Sequence, residues 1–293
     1  MDRGGSVGVM AQFLRSERRA PRGRARFDLA DLAHRPRGEN EAAIRAACTS
    51  AYVGAGRAWV RVLDRYKLLV DTRDVDIAPH LLLDGYWEYR VTAALAQLVR
   101  PGMTCVDAGA HLGYFTLLMA DLAGAEGSVH AVEPNPRLRA LLDLSVRANG
   151  FAARVRSHGL ALHDANDAPA TLVVPPAQSG GGFVVTGEGD LPTRRMDALE
   201  GLVRADLVKI DAEASEERIW TGMRGLLDRA APMTVVIEFT VARYADPAAF
   251  LSRMTGAGFA LSLIDPDAGI GPATPVQVLA APPARDQMLV LRR

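Results

Sequence analysis

The sequence predicts an α/β fold, a mostly parallel sheet covered by helices on both faces. Three observations carry the prediction. From residue 86 onward, short runs rich in Val, Ile and Leu alternate with stretches of helical periodicity, the pattern of βαβ units. The helical stretches carry start and stop signals at their ends. The apolar runs end in acidic or glycine-rich turns, as strands do where an open α/β sheet meets a ligand.

The elements follow in chain order. Residues 1–40 hold nine arginines, five acids and no lysine. Arg22, Arg24 and Arg26 sit around Pro21 and Gly23, which argues against a regular helix. Two readings stay open for this stretch: a solvated tail, or an arm that reaches an anionic substrate or another subunit. Residues 58–71 alternate around Asp64-Arg65 and predict a β-hairpin, part of a lid or of a homodimer contact. The expected division is an arginine-rich extension over 1–50, partly disordered or helical, a hairpin and linker over 51–85, and the main domain over 86–293.

Met103-Thr104-Cys105-Val106 is the first strand of that domain, followed by a helix near 113–123. Ser128–Val132 is the next strand. Asn135 caps the following helix, Pro136 suits its first turn and Gly150 closes it. Strands are expected near 153–157, 206–210 and 234–238, with helices near 214–228 and 246–256. The second of these opens on Asp246-Pro247. Phe259–Ile264 and Met288–Leu291 are the last strands. Residues 175–190, with Pro175-Pro176 and Gly180-Gly181-Gly182, read as a flexible insert.

Composition narrows the function. The chain has 293 residues, 49% hydrophobic and 23% charged, enough to bury a sizeable core. Lys+Arg and Asp+Glu stand at 34 each, so a general nucleic-acid binder is disfavoured. Cys48 and Cys105 make neither a disulfide framework nor a zinc site. No apolar run approaches the ~20 residues of a membrane helix, and the N-terminus lacks the layout of a signal peptide. The expectation is a soluble, cytoplasmic protein with no membrane span and no nucleic-acid partner.

The strand ends carry the chemistry. The first ends Val106-Asp107-Ala108-Gly109-Ala110-His111-Leu112-Gly113. A dinucleotide fingerprint would need glycine at 111 and 114, where this chain has His and Tyr, so a nicotinamide oxidoreductase is disfavoured. The second strand ends Val132-Glu133-Pro134-Asn135, where a carboxylate can accept hydrogen bonds from a ribose diol. The fourth ends Lys209-Ile210-Asp211-Ala212-Glu213, with Glu216 at the next helix start, and the fifth ends at Glu238. Such a row of carboxylates points to a cationic ligand, because mutual repulsion otherwise costs stability or raises pKa values. His158, near a strand end, reads as a structural or exposed histidine.

These stretches resemble the FkbM type of class I S-adenosylmethionine-dependent methyltransferases. Leu83-Asp84-Gly85-Tyr86-Trp87-Glu88 resembles the segment before the first core helix. Asp107 to Gly113 resembles the glycine-rich motif, Glu133-Pro134-Asn135-Pro136 the second acidic motif, and Val208 to Glu216, with Glu238, the subfamily signature. The resemblance runs from about residue 52 to the end. Two residues depart from the family pattern: His111 stands where Asn is usual, and Ala214 where Gly is usual.

The resemblance implies a Rossmann-like three-layer sandwich, with a seven-stranded sheet whose last strand is antiparallel, and an S-adenosylmethionine-binding domain over 86–293. It implies that Asp107, Gly109, Ala110, His111 and Gly113 surround the methionine part of the cofactor, assisted by Tyr114 and Thr116. Glu133 would hold the ribose, with Pro134 and Asn135 beside the adenosine and Ala161 and Leu162 forming an adenine slot. Trp87 and Glu88 would close the pocket, and Asp211 would face the transfer centre. The catalytic candidates are Asp211, Glu213 and Glu238, with His111 after them. The implied activity is O-methylation of a hydroxyl on a small molecule, sugar or glycan. N-methylation and a non-catalytic nucleotide-binding or scaffolding role are the alternatives. No metal site is predicted.

Overall fold

The N-terminal elements cover one face of the sheet before the sheet itself begins. In the computed structural model, residues 26–178, 180–229 and 231–293 are described. Arg22 and Arg24 of the arginine-rich stretch lie outside them. Among the described residues two helices come first, α1 (Asp31–His34) and α2 (Arg37–Ala47). The expected hairpin forms as β2 (Arg57–Val62) and β3 (Tyr66–Asp71), turning through Leu63 and Asp64 at φ 52° and 53°. It carries one strand more than predicted: β1 (Ser50–Gly54) pairs antiparallel along β2.

Two helices lead from this small sheet into the main one, α3 (Ile77–Asp84) and α4 (Tyr89–Leu98). The chain then runs through β4 (Thr104–Ala108), α5 (Tyr114–Ala123), β5 (Ser128–Val132), α6 (Pro136–Ala148) and β6 (Val155–His158). Asn135 caps α6 as expected, accepting from the Arg137 amide at 3.0 Å. The C-terminal end of α6 also fastens β3. Asn149 accepts from the Lys67 amide and donates to the Lys67 carbonyl, while Ser145 accepts from the Leu69 amide at 2.9 Å. Side chains thus satisfy backbone groups on a strand edge that has no strand neighbour.

The next region differs from its expected insert. Short strands β7 (Ala161–Leu162) and β10 (Thr193–Arg194) pair in parallel, and β8 (Ala170–Val173) and β9 (Phe183–Thr186) form an antiparallel hairpin. The Pro and Gly residues mark the loop of this hairpin; its β-branched flanks form the strands.

The second half of the domain follows. It comprises β11 (Leu207–Ile210), α7 (Glu216–Gly222), α8 (Arg224–Leu227), β12 (Thr234–Thr240), α9 (Pro247–Gly256), β13 (Ala260–Asp265), β14 (Gly269–Pro272), α10 (Pro275–Leu279) and β15 (Asp286–Arg292). The helix expected over 214–228 is divided at Met223. A β-carbon on Gly222 would lie 2.0 Å from the His163 carbonyl oxygen, so only glycine allows α7 this close to the chain.

The main sheet has the order β14-β13-β15-β12-β11-β4-β5-β6. Strands β6, β5, β4, β11 and β12 are parallel; β15 runs antiparallel between β12 and β13. Seven of these strands match the expectation, and β14 is an eighth that corrects it. Asp265 accepts from the amides of Asp267 and Ala268, and this turn folds β14 back on β13. Two apolar cores flank the sheet. One joins Ile44, Val60, Leu68, Leu95, Leu118 and Leu142; the other joins Trp220, Leu226, Phe250, Met254 and Val278. Phe27, Leu29 and Leu32 belong to the first core, so part of the N-terminal extension is built into the main domain. No helix among the described residues is long and apolar enough to cross a membrane.

Candidate functional site

Strand order reverses between β4 and β11, and there a cleft of about 430 Å³ opens over the carboxyl ends of the strands. This is where an open α/β sheet holds its ligand. Gly109 makes the crossing possible. It has φ 82°, and a β-carbon on it would lie 1.9 Å from the Asp211 carbonyl oxygen. Its amide and that of Ala110 donate to the Val132 carbonyl, tying the β4 turn to the tip of β5.

Of the residues expected here, Gly109, Ala110, His111 and Tyr114 line the cleft, with Trp87 and Glu88 on the same wall. Asp107, Gly113 and Thr116 do not. Asp107 is fully buried behind the wall and accepts from Thr116 Oγ1 at 2.6 Å; its other oxygen is buried without a hydrogen-bond partner. Burial raises its pKa, against the pull of Lys209. Gly113 starts α5 at φ 94° and faces Leu142. The His111 backbone is at φ 51°, and burial pulls its imidazole down to about 4.

Glu133, at the tip of β5, is buried and lines the cleft. Its two oxygens accept from the amides of His111 and Asn135, both at 2.8 Å. Burial pushes its pKa up to about 7, opposed by those two amides. A carboxylate has about four acceptor positions, so each oxygen keeps capacity for a further donor. Pro134 and Asn135 lie beside it, and Leu160, Ala161, Leu162, Val132 and Leu138 form an apolar wall.

The other end of the cleft is acidic. Lys209 is 1% exposed and donates to Asp211 Oδ2 at 2.9 Å, with its ammonium 4.7 Å from the Phe115 ring. Burial opposes its charge, yet Asp211, Asp107 and Glu88 raise its pKa. Glu213 and Ala214 follow at φ 42° and 67°. Arg243, in the turn after β12, pairs with Glu213 at 3.0 Å, contacts Glu238 closely, and reaches Asp286 at 3.6 Å. Burial, then Asp211, pushes Glu238 up to about 8, against Arg243. Glu88 rises to about 7, again through burial and then Asp211. It is accessible from the cleft but walled in by protein.

Sequence reasoning missed Arg243 and Asp286, and it read the roof segment at 175–190 only as a flexible insert. Asp286 was within reach: an antiparallel last strand brings its N-terminal end to the ligand edge. The roof consists of Asp76 and Ile77 at the start of α3, with Leu172, Val174, Gly180, Gly181, Gly182 and Val184 of the β8–β9 hairpin. The two parts touch where the Val75 amide donates to the Ala177 carbonyl at 3.0 Å. Glu216 is buried, accepting from the Ala212 amide and the Tyr244 hydroxyl, so it organises the loop after β11. His158 stacks on His130 outside the cleft, with ring nitrogens 3.0 Å apart.

The strand order and the place of the cleft define the Rossmann-like fold of class I methyltransferases. The chain matches the model of the Methyltransferase FkbM domain over residues 107–261, more than half its length, and it belongs to that family. The family resemblance read from the sequence is thereby borne out. Among solved structures it is similar to methyltransferase FkbM from Methylobacillus flagellatus KT, at 15% identity and a TM-score of 0.43, covering 70% of this chain and 55% of that one. The chain thus spans little more than half the length of that protein. It is also similar to a TehB-like SAM-dependent methyltransferase from Corynebacterium glutamicum, with 12% identity, 74% and 95% coverage and a TM-score of 0.43. A precorrin-6y C5,15-methyltransferase from Geobacter metallireducens shows 11% identity, 70% and 89% coverage and a TM-score of 0.41. A search of curated proteins finds no match to the sequence.

Proposed function

We propose that the protein is an S-adenosylmethionine-dependent methyltransferase that O-methylates a hydroxyl on a small molecule, sugar or glycan. The observation that carries this reading is the graded wall of one cleft in a chain of this family. Glu133 offers acceptors for a diol, the Leu160–Leu162 stretch offers an apolar slot for a flat base, and Asp211, Glu213 and Glu238 offer negative charge for a cation. That donor set fits an adenosyl sulfonium from end to end.

The cofactor, when bound, supplies a methyl group already activated by a positively charged sulfur. The chain's own residues then have two tasks. Glu133, Trp87, Glu88 and the Gly109–His111 turn hold the donor in one orientation, and alignment of the reacting atoms provides much of the acceleration in such displacements. With the methyl group supplied by the cofactor, the chain's task at the acceptor would be to take up the hydroxyl proton on a carboxylate. Asp211, Glu213 and Glu238 are the candidates. Glu238, with its proton affinity raised to about 8, suits this task near neutral pH. An amine acceptor is a second reading, favoured by the acidity of the same wall.

Glu133→Ala tests the reading. A hydrogen bond to a charged group is worth ~1.5–3 kcal/mol, so the variant is expected to bind S-adenosylmethionine about 10–100-fold more weakly in calorimetry, with its far-UV circular dichroism unchanged. Unaltered affinity would remove Glu133 from the site.

A further inference from the structure

A second cavity, of about 250 Å³, lies along one face of α4 where α1 and the start of β14 meet it. Tyr89, Arg90, Ala93, Ala94 and Gln97 form its floor, at the spacing of a single helix face. Three arginines stand on its lining: Arg35 and Arg37 beside α1 and α2, and Arg90 in the first turn of α4. None of the described residues that line it also lines the cleft. Small side chains at Ala33, Ala93, Ala94 and Gly269 leave the space between the arginines open.

We propose that this cavity is a second binding site, one for a phosphate group. The arginines are fixed in place without being used up. Arg90 donates to the Pro266 carbonyl through Nε and to the Asp267 carbonyl through Nη2, the latter at 2.6 Å. Arg37 donates to Glu41 through Nε at 2.7 Å and reaches the Pro266 carbonyl through Nη1 at 3.5 Å. Arg35 pairs with Asp31 through Nη1 at 2.8 Å and with Glu39 through Nε at 3.8 Å. A guanidinium carries five N–H donors on three nitrogens, and these contacts use two nitrogens of each. One terminal nitrogen on every arginine therefore keeps capacity for a further acceptor. Two carbonyls fix Arg90 in place and leave its charge undiminished.

Tyr89 is a second, independent pointer to a ligand with acceptor oxygens. It is 4% exposed, and the guanidinium carbons of Arg37 and Arg90 lie 5.4 and 5.8 Å from its ring centre. Its hydroxyl accepts from Asn40 Nδ2 at 2.8 Å. The carbonyls of Asp31 and Arg35 also accept from Nδ2, at 2.8 and 3.4 Å, and so set which way the Asn40 amide faces. The Tyr89 hydroxyl is thereby held as an acceptor toward Asn40, and its own proton is left for another partner. A carboxylate, with one charge and two oxygens, would use only part of this donor set. A phosphate monoester brings nearly two charges near pH 7 and three terminal oxygens, and planar guanidinium forks suit it. The phosphate is either a free ion or part of a small molecule; its chemistry at the site is the same. The proposal does not depend on what the cleft holds.

The test is calorimetry of the full chain with inorganic phosphate and with glycerol 3-phosphate at low ionic strength, where screening is weakest. Saturable binding of at least one probe is expected. Arg90→Gln and Arg37→Gln are each expected to weaken it about tenfold, the effect of losing a charged hydrogen bond. Arg90→Lys keeps the charge without the planar fork and recovers part of the loss. Tyr89→Phe removes only the hydroxyl and weakens binding by a smaller factor. Circular dichroism checks the fold of each variant; where Arg90→Gln does not fold, Arg37→Gln and Tyr89→Phe carry the test. Tighter binding of inorganic phosphate supports a site for the free ion, and tighter binding of the ester supports one for a phosphorylated small molecule. Affinity unchanged in both Arg37→Gln and Arg90→Gln would overturn the site, as would failure of both probes to saturate the wild type. Loss of binding in Arg243→Gln, with Arg90→Gln unaffected, would place the phosphate in the cleft and overturn it too.

Discussion

Ala214 is held at φ 67° with an exposed side chain, at a position where the family usually has glycine. A β-carbon in the left-handed region costs ~1–2 kcal/mol, while glycine loses more backbone entropy on folding, ~0.5–1 kcal/mol. Ala214→Gly is therefore expected to stabilise the protein by up to ~1 kcal/mol, raising the melting temperature by about 2 °C. A fall in melting temperature would show that the loop tolerates the left-handed region at no cost. His111, the other departure from the family, also has a positive φ, of 51°; asparagine, the usual residue there, adopts that conformation more readily. At this scale the sequence was a good guide to which acids gather, because strand ends place them. Glu133, Asp211, Glu213 and Glu238 all line one cleft. It was a poor guide to which side chains face the cleft. Asp107 turns inward to Thr116 because the last residues of β4 are buried on both faces. Arg243 carried no strand-end signal, since it follows β12 in a short turn.

At the scale of elements, the roof is the part most open to test. The β8–β9 hairpin places Leu172 and Val184 on the cleft, while Val173, Phe183 and Val185 are exposed. Its main anchor to α3 is a backbone contact through Val75 and Ala177. Replacing residues 174–182 with a two-residue Asn-Gly turn, which suits a hairpin, should leave the melting temperature nearly unchanged. Release of S-adenosylhomocysteine should accelerate roughly tenfold, since changes at such contacts act mainly on dissociation. Stopped-flow fluorescence of Trp87 would follow it. An unaltered release rate would show that the hairpin does not cover the ligand. The parallel strands were legible because burial on both faces makes them continuous apolar runs. The hairpin was not, because Pro175-Pro176 and three glycines mask the β-branched residues flanking them. β14 was missed for a similar reason. Its Gly269-Ile270-Gly271-Pro272 sequence has weak strand propensity, and the turn at Asp265 brings it to the sheet.

At the scale of the whole molecule, the formal charge is zero. Five of the 34 acids meet at one end of one cleft, with Lys209 and Arg243 among them. The alternation of strands and helices specified the architecture, and the strand order then determined where those acids meet. The N-terminal elements share a core with α4, α5 and α6, so the cleft's α4 wall and its α3 roof are held by residues outside the family-matched segment. Calorimetric titration of the purified chain with S-adenosylmethionine, alongside NAD⁺, asks whether this cleft binds a sulfonium nucleoside. Saturable one-to-one binding of S-adenosylmethionine and none of NAD⁺ is expected. Binding of NAD⁺ alone, or of neither ligand, would overturn the assignment.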